Sequence, residues 1–159
     1  MHKDLPLLMH LRENGRQTLT ELSKKTHIPI STIYERLKTY CTTGVIKKFT
    51  SLVDFSQLGF DVKAHFILRV EKELRETLKE FLLTHRCINH ACQISQGYDF
   101  IVEGIFSEMK HLYHFLEILE EKYDAEVKTY FVIDDLKQEG FLTTPEHLLL
   151  LEKGGELYV

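Results

Sequence analysis

QTLTELSKKTHIPISTIYERLKTYCTTGVIKKF, residues 17–49, decides the reading of the first third of this chain. Thr18 and Glu21 have the spacing of a capping box, in which the hydroxyl takes an orphan amide and the carboxylate reaches back to the cap residue. Leu19 and Leu22 then begin an apolar face. The helix stops at His27-Ile28-Pro29, because a residue before proline is pushed out of the helical region. Pro29 suits the first turn of the next helix, where its missing N–H is no loss. Ile33, Leu37 and Tyr40 recur at i, i+4 and i+7 and predict the buried stripe of that helix, Ile30–Cys41. Ser31, Thr32, Tyr34, Glu35, Lys38 and Thr39 are left on its outer side. Two short helices with a tight turn, the second presenting small polar, aromatic and charged side chains, match what a DNA major groove accepts.

Charge points the same way where the total hides it. The chain carries −4 overall. Residues 1–52 hold nine lysines and arginines against four acids, a balance of +5, whereas the remainder holds eleven against twenty, a balance of −9. Such asymmetry implies one domain for a phosphate backbone and another for something else. At 159 residues the chain has room for one medium domain or two small ones, each marginal alone, which favours an oligomer. No apolar run approaches the roughly 20 residues needed to span a bilayer, and no charged-then-apolar leader opens the chain. Cys41, Cys87 and Cys92 cannot all pair, so a reduced, cytoplasmic setting is expected.

Working outward, Leu5 to about Glu13 predicts a first helix, ended by Asn14-Gly15 through the left-handed conformation those residues tolerate. Thr43-Gly44 leads into an extended piece, Val45–Val53, that suits a wing. The expected domains are 1–54, a hinge at 55–60 around Phe55-Ser56-Gln57-Leu58-Gly59, a second domain at 61–137, and a tail at 138–159. In the second domain the pattern turns to strand, helix, strand, strand, helix, strand. Val62, Ala64, Phe66, Leu68 and Val70 alternate with period two. Leu74, Leu78, Phe81 and Leu82 have helical spacing, as do Leu112, Leu116, Leu119 and Tyr123. Ile88–Ser95 and Asp99–Phe106 read as strands joined at Gln96-Gly97-Tyr98. Glu126–Asp134 is the last strand, with Val127, Thr129, Phe131 and Ile133 on one side. This order predicts a βαββαβ sheet covered on one face by two helices, its other face hidden by a second copy. Thr144-Pro145-Glu146 opens a helix into His147–Lys153, which Gly154-Gly155 ends.

In their order and spacing, several short motifs make the chain resemble the Lrp/AsnC (leucine-responsive, feast/famine) transcription regulators over about residues 4–136. They are Asn14-Gly15-Arg16, Glu21-Leu22, Ser31-Thr32-Ile33, Glu35-Arg36-Leu37, Gly44-Val45-Ile46, Leu58-Gly59 and Gly97-Tyr98-Asp99. The resemblance implies an α+β chain, a winged helix-turn-helix domain followed by a ferredoxin-like, RAM-type dimerisation domain. It also implies homodimers that assemble into larger, often octameric, discs, and control by an amino acid bound near the turn at Gly97-Tyr98-Asp99. The chain departs from that pattern at Pro29, where the family usually has a capping Ser, and in its tail beyond Gly140.

The candidate DNA contacts are Ser31, Thr32, Tyr34, Glu35 and Lys38 toward base edges. Arg16, Lys47 and Lys48 are candidates for phosphate. Arg36 lies nearer the helix flank and suits either phosphate or an acid of its own domain. Gly97-Tyr98-Asp99 has two readings. It is an ordinary chain reversal, Gly for positive φ and Asp for local backbone bonds. It is also an effector site in which turn amides take a carboxylate and Asp99 takes an ammonium. His85, Cys87, His90 and Cys92 are the one cluster of metal-like residue types, but their spacing fits no closed zinc motif, and His111 and His114 lack a third ligand. No nucleophile triad or phosphate loop is present, so no cofactor, metal or enzymatic activity is expected. The partners expected are double-stranded DNA, a second copy and an amino-acid effector, with no membrane. Two rivals share the plan: an architectural DNA-binding protein without effector, and a siroheme decarboxylase, for which Ile88–Ile105 supplies only His90 and no arginine.

Overall fold

The computed structural model describes residues 4–148 and divides into two compact units, Met1–Leu52 with Leu136–Val159, and Val53–Asp135. The first holds α1 (Leu5–Glu13), α2 (Leu19–Thr26) and α3 (Ile30–Thr42). Leu7, Leu22, Ile33 and Tyr40 form its core, with Leu19, Leu37 and Ile46 packed against them. This is the stripe the helical spacing predicts. Helix α1 ends differently from expectation: Asn14 is extended at φ −151° and Gly15 is not left-handed. The Asn14 side chain instead accepts a bond from the Arg16 amide at 3.0 Å, which turns the chain without a left-handed residue. Residues 47–54 carry no regular secondary structure, so the wing segment is neither strand nor hairpin.

The tail from Leu136 groups with the first unit rather than standing apart. Arg12 on α1 grips it, with Nε donating to the Phe141 carbonyl at 2.7 Å and Nη2 to the Glu139 carboxylate at 2.7 Å and carbonyl at 3.0 Å. Glu139 and Leu142 take positive φ to offer those groups. A turn opens at Thr144, where the Leu148 amide donates to the Pro145 carbonyl. The predicted continuation to Lys153 and Gly154-Gly155 lies outside the described residues.

The second unit holds β1 (Val62–Arg69), α4 (Arg75–Thr84), β2 (Ile88–Gln93), β3 (Phe100–Phe106), α5 (Met109–Tyr123) and β4 (Glu126–Phe131). The sheet is antiparallel in the order β2-β3-β1-β4. Alternation decides which side is inside. Ala64, Phe66 and Leu68 of β1 and Phe100, Val102 and Phe106 of β3 are buried with Leu78, Leu82, Leu112, Phe115 and Leu119 of the helices. Phe115, absent from the predicted helix stripe, supplies the aromatic centre with Phe66 and Phe106. On the opposite face the register aligns His65, Glu103 and His90, and next to them Ile67, Ile101 and Cys92. Among the described residues no helix of this unit covers that face. Strand β2 bulges at Asn89, since Ile88 opposes Gly104 while His90 opposes Glu103. Strand β4 stops at Phe131, and Ile133, expected in it, is fully exposed.

Gly104 is required by packing. A Cβ there would stand 2.6 Å from the Phe106 ring and 2.9 Å from the Phe66 ring, both fully packed. Gly104→Ala is therefore expected to lower the unfolding free energy by about 1–3 kcal/mol in urea denaturation. An unchanged midpoint would show that the rings have room to yield.

Candidate functional site

The helix pair is set by local bonds. The Thr18 hydroxyl accepts from the Glu21 amide at 3.2 Å, and the Glu21 carboxylate accepts from the Thr18 amide at 2.7 Å, so the capping box forms. The Thr18 amide, helped by its hydroxyl, holds the Glu21 carboxyl below the usual carboxylate range. At the turn His27 is left-handed at φ 56°, and the Ser23 hydroxyl donates to the Ile28 carbonyl at 2.7 Å. Pro29 sits at the N-cap of α3 rather than inside its first turn, and no side chain caps that helix.

Helix α3 therefore shows solvent one polar face. Ser31, Tyr34, Glu35 and Lys38 are exposed and Thr32 is half-buried. Arg16, Lys47 and Lys48 are exposed on the same unit. Arg36 differs from them. Its guanidinium forms an ion pair with Asp4, so of its two anticipated roles the structure shows the intradomain one. Tyr40 lies beside this pair; burial, with the negative charge of Asp4 nearby, pushes its pKa up to about 12. Asp4, Arg36 and Tyr40 thus fasten the start of α1 to the inner side of α3.

The second constellation surrounds the β2–β3 turn. Gln96 and Gly97 both take positive φ, 70° and 96°, the backbone of a tight hairpin reversal. An added Cβ on Gly97 would meet nothing within 4 Å, so space lies open over the turn. Beside it is a cleft of about 640 Å³ lined by Gly97, Tyr98 and Asp99, and also by Arg69, Arg75 and Asp124. Asp99 is buried and already committed: its carboxylate accepts from the Val70 amide at 2.9 Å and pairs with Arg75 Nη2 at 2.6 Å. An ammonium at this carboxylate would share it with the Val70 amide and Arg75. Tyr98 lies under the Lys128 ammonium, 4.8 Å from the ring centre, and its hydroxyl holds Lys128 above its ordinary value. Arg75 and Asp124, which sequence reasoning missed, lie 22 or more positions from the turn in the chain. Periodicity placed the α5 end at Tyr123, beside Asp124, but started the earlier helix at Lys72, where the structure has a 3-10 turn before α4 begins at Arg75.

The metal-like cluster disperses. The His85 ring packs 5.0 Å from both Phe81 and Phe115, and burial pushes its pKa down. His90 and Cys92 share the uncovered sheet face. Among the described residues no three His, Cys, Asp or Glu side chains gather as metal ligands.

The family model for winged helix-turn-helix DNA-binding matches residues 2–47. The chain is 29% identical over 116 residues to the HTH-type transcriptional regulator FL11 of Pyrococcus furiosus, covering 73% of this chain and 77% of that relative. Its fold superposes on the NMB0573/L-Met complex of Neisseria meningitidis with a TM-score of 0.79 at 21% identity, over 93% and 97% of the two chains. An AsnC family transcriptional regulator from Agrobacterium tumefaciens matches with a TM-score of 0.74 at 17% identity, over 86% and 92%. This chain's sequence and fold are of the Lrp/AsnC type. It is a DNA-binding transcription regulator with a winged helix-turn-helix followed by a βαββαβ sheet domain. The relatives it matches are transcription regulators rather than enzymes. No helix among the described residues is long and apolar enough to cross a membrane.

The Tyr40 phenol supplies a pH test of the α1–α3 contact. Its folded value lies above its unfolded one of 10.0, so the stabilisation of the neutral phenol is complete below pH 10 and is lost as pH rises toward 12. Denaturation profiles of the full chain over that window are expected to fall more steeply for the wild type than for Tyr40→Phe. Parallel profiles would remove Tyr40 from the linkage.

Proposed function

We propose that this regulator is a homodimer that reads two operator half-sites with α3 and whose DNA affinity is set by an amino acid bound beside the Gly97 turn. The observation that carries the DNA reading is the uncommitted outer face of α3. Among the described residues, Ser31, Tyr34, Glu35 and Lys38 have no side-chain partner within the protein, although a neighbouring acid and base on a helix commonly find one. Glu35 suits the cytosine amino group, Ser31 and Thr32 suit several base edges, and Lys38 suits guanine or phosphate. Arg16, Lys47 and Lys48 serve phosphate, and Arg36 supports α3 through Asp4.

The uncovered sheet face supports the dimer. Ile67, Ile101 and Ile105 lie there, with Tyr130 opposite His65, and a second copy would bury them. Two-fold symmetry then places the half-sites about one helical turn of DNA, or a multiple, apart. The family resemblance extends the assembly to larger discs of octameric size, in a cytoplasmic setting. For the effector, the support is a polar cleft at the turn, together with an L-Met complex in a protein of the same fold. Gly97 and Tyr98 would face the ligand, with Asp99 acting through its neighbours.

Selection from random-sequence DNA, with and without a pooled amino-acid mixture, tests this reading. A two-fold-symmetric consensus whose enrichment changes with the pool is expected. Enrichment of no sequence would instead make the protein an architectural DNA binder. Within the interface, replacing Lys47 and Lys48 by Ala is expected to weaken binding to all DNA and reduce the salt slope by about one per lost phosphate contact. Thr32→Ala or Glu35→Ala is expected to change the preferred sequence; uniform weakening would argue against base reading by those side chains.

A further inference from the structure

The sheet face that carries no helix bears a row of titratable side chains across all four strands. The register sets His90 of β2 opposite Glu103 of β3, Glu103 opposite His65 of β1, and His65 opposite Tyr130 of β4. Glu103 is the centre of the row, and its side chain is only 13% exposed. Its carboxylate accepts from the Asn89 side-chain amide and pairs with Lys63 Nζ at 3.1 Å, while His65 Nε2 stands 3.7 Å away. The same Lys63 ammonium donates to both carboxylate oxygens of Asp135 at 2.9 Å. Lys63 thus sits closer to Asp135, and Glu103 holds only a share of its charge. The next cation within reach of Glu103 is His65, once that ring is protonated.

The other charges of the face are engaged elsewhere. Lys128 of β4 lies over the Tyr98 ring, and Arg69 of β1 pairs with Glu126 of β4 at 2.6 Å. On β2, His90 and Cys92 have no ion pair among the described residues. Water solvates Glu103 on the open face at little cost. Ile67, Ile101 and Ile105 surround the row, and a second copy that buries them removes that water as well. A buried charge with an incomplete counter-ion costs far more than an exposed one. A proton on His65 completes it, and a two-fold interface puts the same row on both copies.

We propose that His65 makes the dimer proton-linked: two copies that pair through this face take up a proton at each His65, so the chain dimerises more tightly at pH 6 than at pH 8. This rests on the reading of the face as the dimer interface. The imidazole holds its proton more firmly in the dimer than in the single chain, where an ordinary histidine titrates near about 6.5. The stabilisation is therefore complete below that value and is lost as pH rises through the dimer's higher one. Reading of paired half-sites, which needs the dimer, follows the same pH dependence.

The experiment is fluorescence-detected sedimentation of the full chain at pH 6, 7 and 8 and constant ionic strength, read as a dimer dissociation constant. The wild type is expected to dissociate about tenfold to a hundredfold more readily at pH 8 than at pH 6, roughly tenfold for each copy's proton. Glu103→Gln removes the acid and leaves Lys63 to Asp135, so it is expected to keep the tight constant at every pH. His65→Gln is expected to keep the weak one, and His90→Gln to respond to pH as the wild type does. A response that survives His65→Gln, or that His90→Gln abolishes, would overturn the assignment. If Glu103→Gln fails to fold, the two histidine variants still decide. Ile101→Arg, or Ile67→Arg should the first not fold, is expected to abolish the dimer at every pH. A dimer that this change breaks but whose constant does not move with pH would overturn the proton linkage alone. A wild type that is monomeric throughout, or an arginine variant that dimerises normally, would overturn the interface reading itself.

Discussion

The carboxylate of Asp99 is the point on which the second unit turns. Its backbone amide donates to the Leu68 carbonyl and its carbonyl accepts from the Ile94 amide, so one residue joins the ends of β1 and β2 at the start of β3. Its side chain then caps the Val70 amide, which β1 has left unpaired, and holds Arg75 at the start of α4. A buried carboxylate is tolerable only when its lone pairs are taken, and here a backbone amide and a guanidinium take them. The consequence is geometric. The hairpin turn, the end of β1 and the first turn of α4 are locked together, and the cleft is the space between them.

The first unit is held by a different device. Its core is small: among the described residues the central cluster is Leu7, Leu22, Ile33 and Tyr40, and a domain of this size is marginal on apolar burial alone. Directional contacts supplement it: the capping box at α2, the Asp4–Arg36 pair beside Tyr40, and the Arg12 grip on Glu139 and Phe141. All of these use the inner side or the flanks of the helices. The outer side of α3 is left unpaired, which is what a surface that must exchange water for base edges and phosphates requires.

Much of this was legible in the sequence because it depends on neighbours along the chain. Leu22, Ile33 and Tyr40 announced the inner face of the helix pair by spacing, and Thr18 with Glu21 announced the start of α2. The alternation from Val62 to Val70 gave β1 its inner face, and Gly97 marked the reversal between β2 and β3. The failures are equally specific. Asn14-Gly15 ended α1 through a side-chain bond to Arg16 rather than a left-handed residue, a choice that composition does not reveal. Val45–Val53 read as an extended piece but formed no strand, because a strand needs a partner whose presence local pattern does not guarantee.

By itself, then, the sequence determined the two element orders, their faces, the concentration of positive charge in the first domain and the location of the turn, since each follows from period, capping and charge within a short window. Only the tertiary structure decided which ionic groups are spent and which are free. Arg36 was open between phosphate and an acid of its own domain, and Asp4 holds it; Asp99 looked available to a ligand, yet the Val70 amide and Arg75 already engage it. Arg75 and Asp124 looked like ordinary surface charges until the fold brought the start of one helix and the end of another to one cleft. Ion pairing depends on distances between residues far apart in the chain, and those distances exist only once the chain has folded.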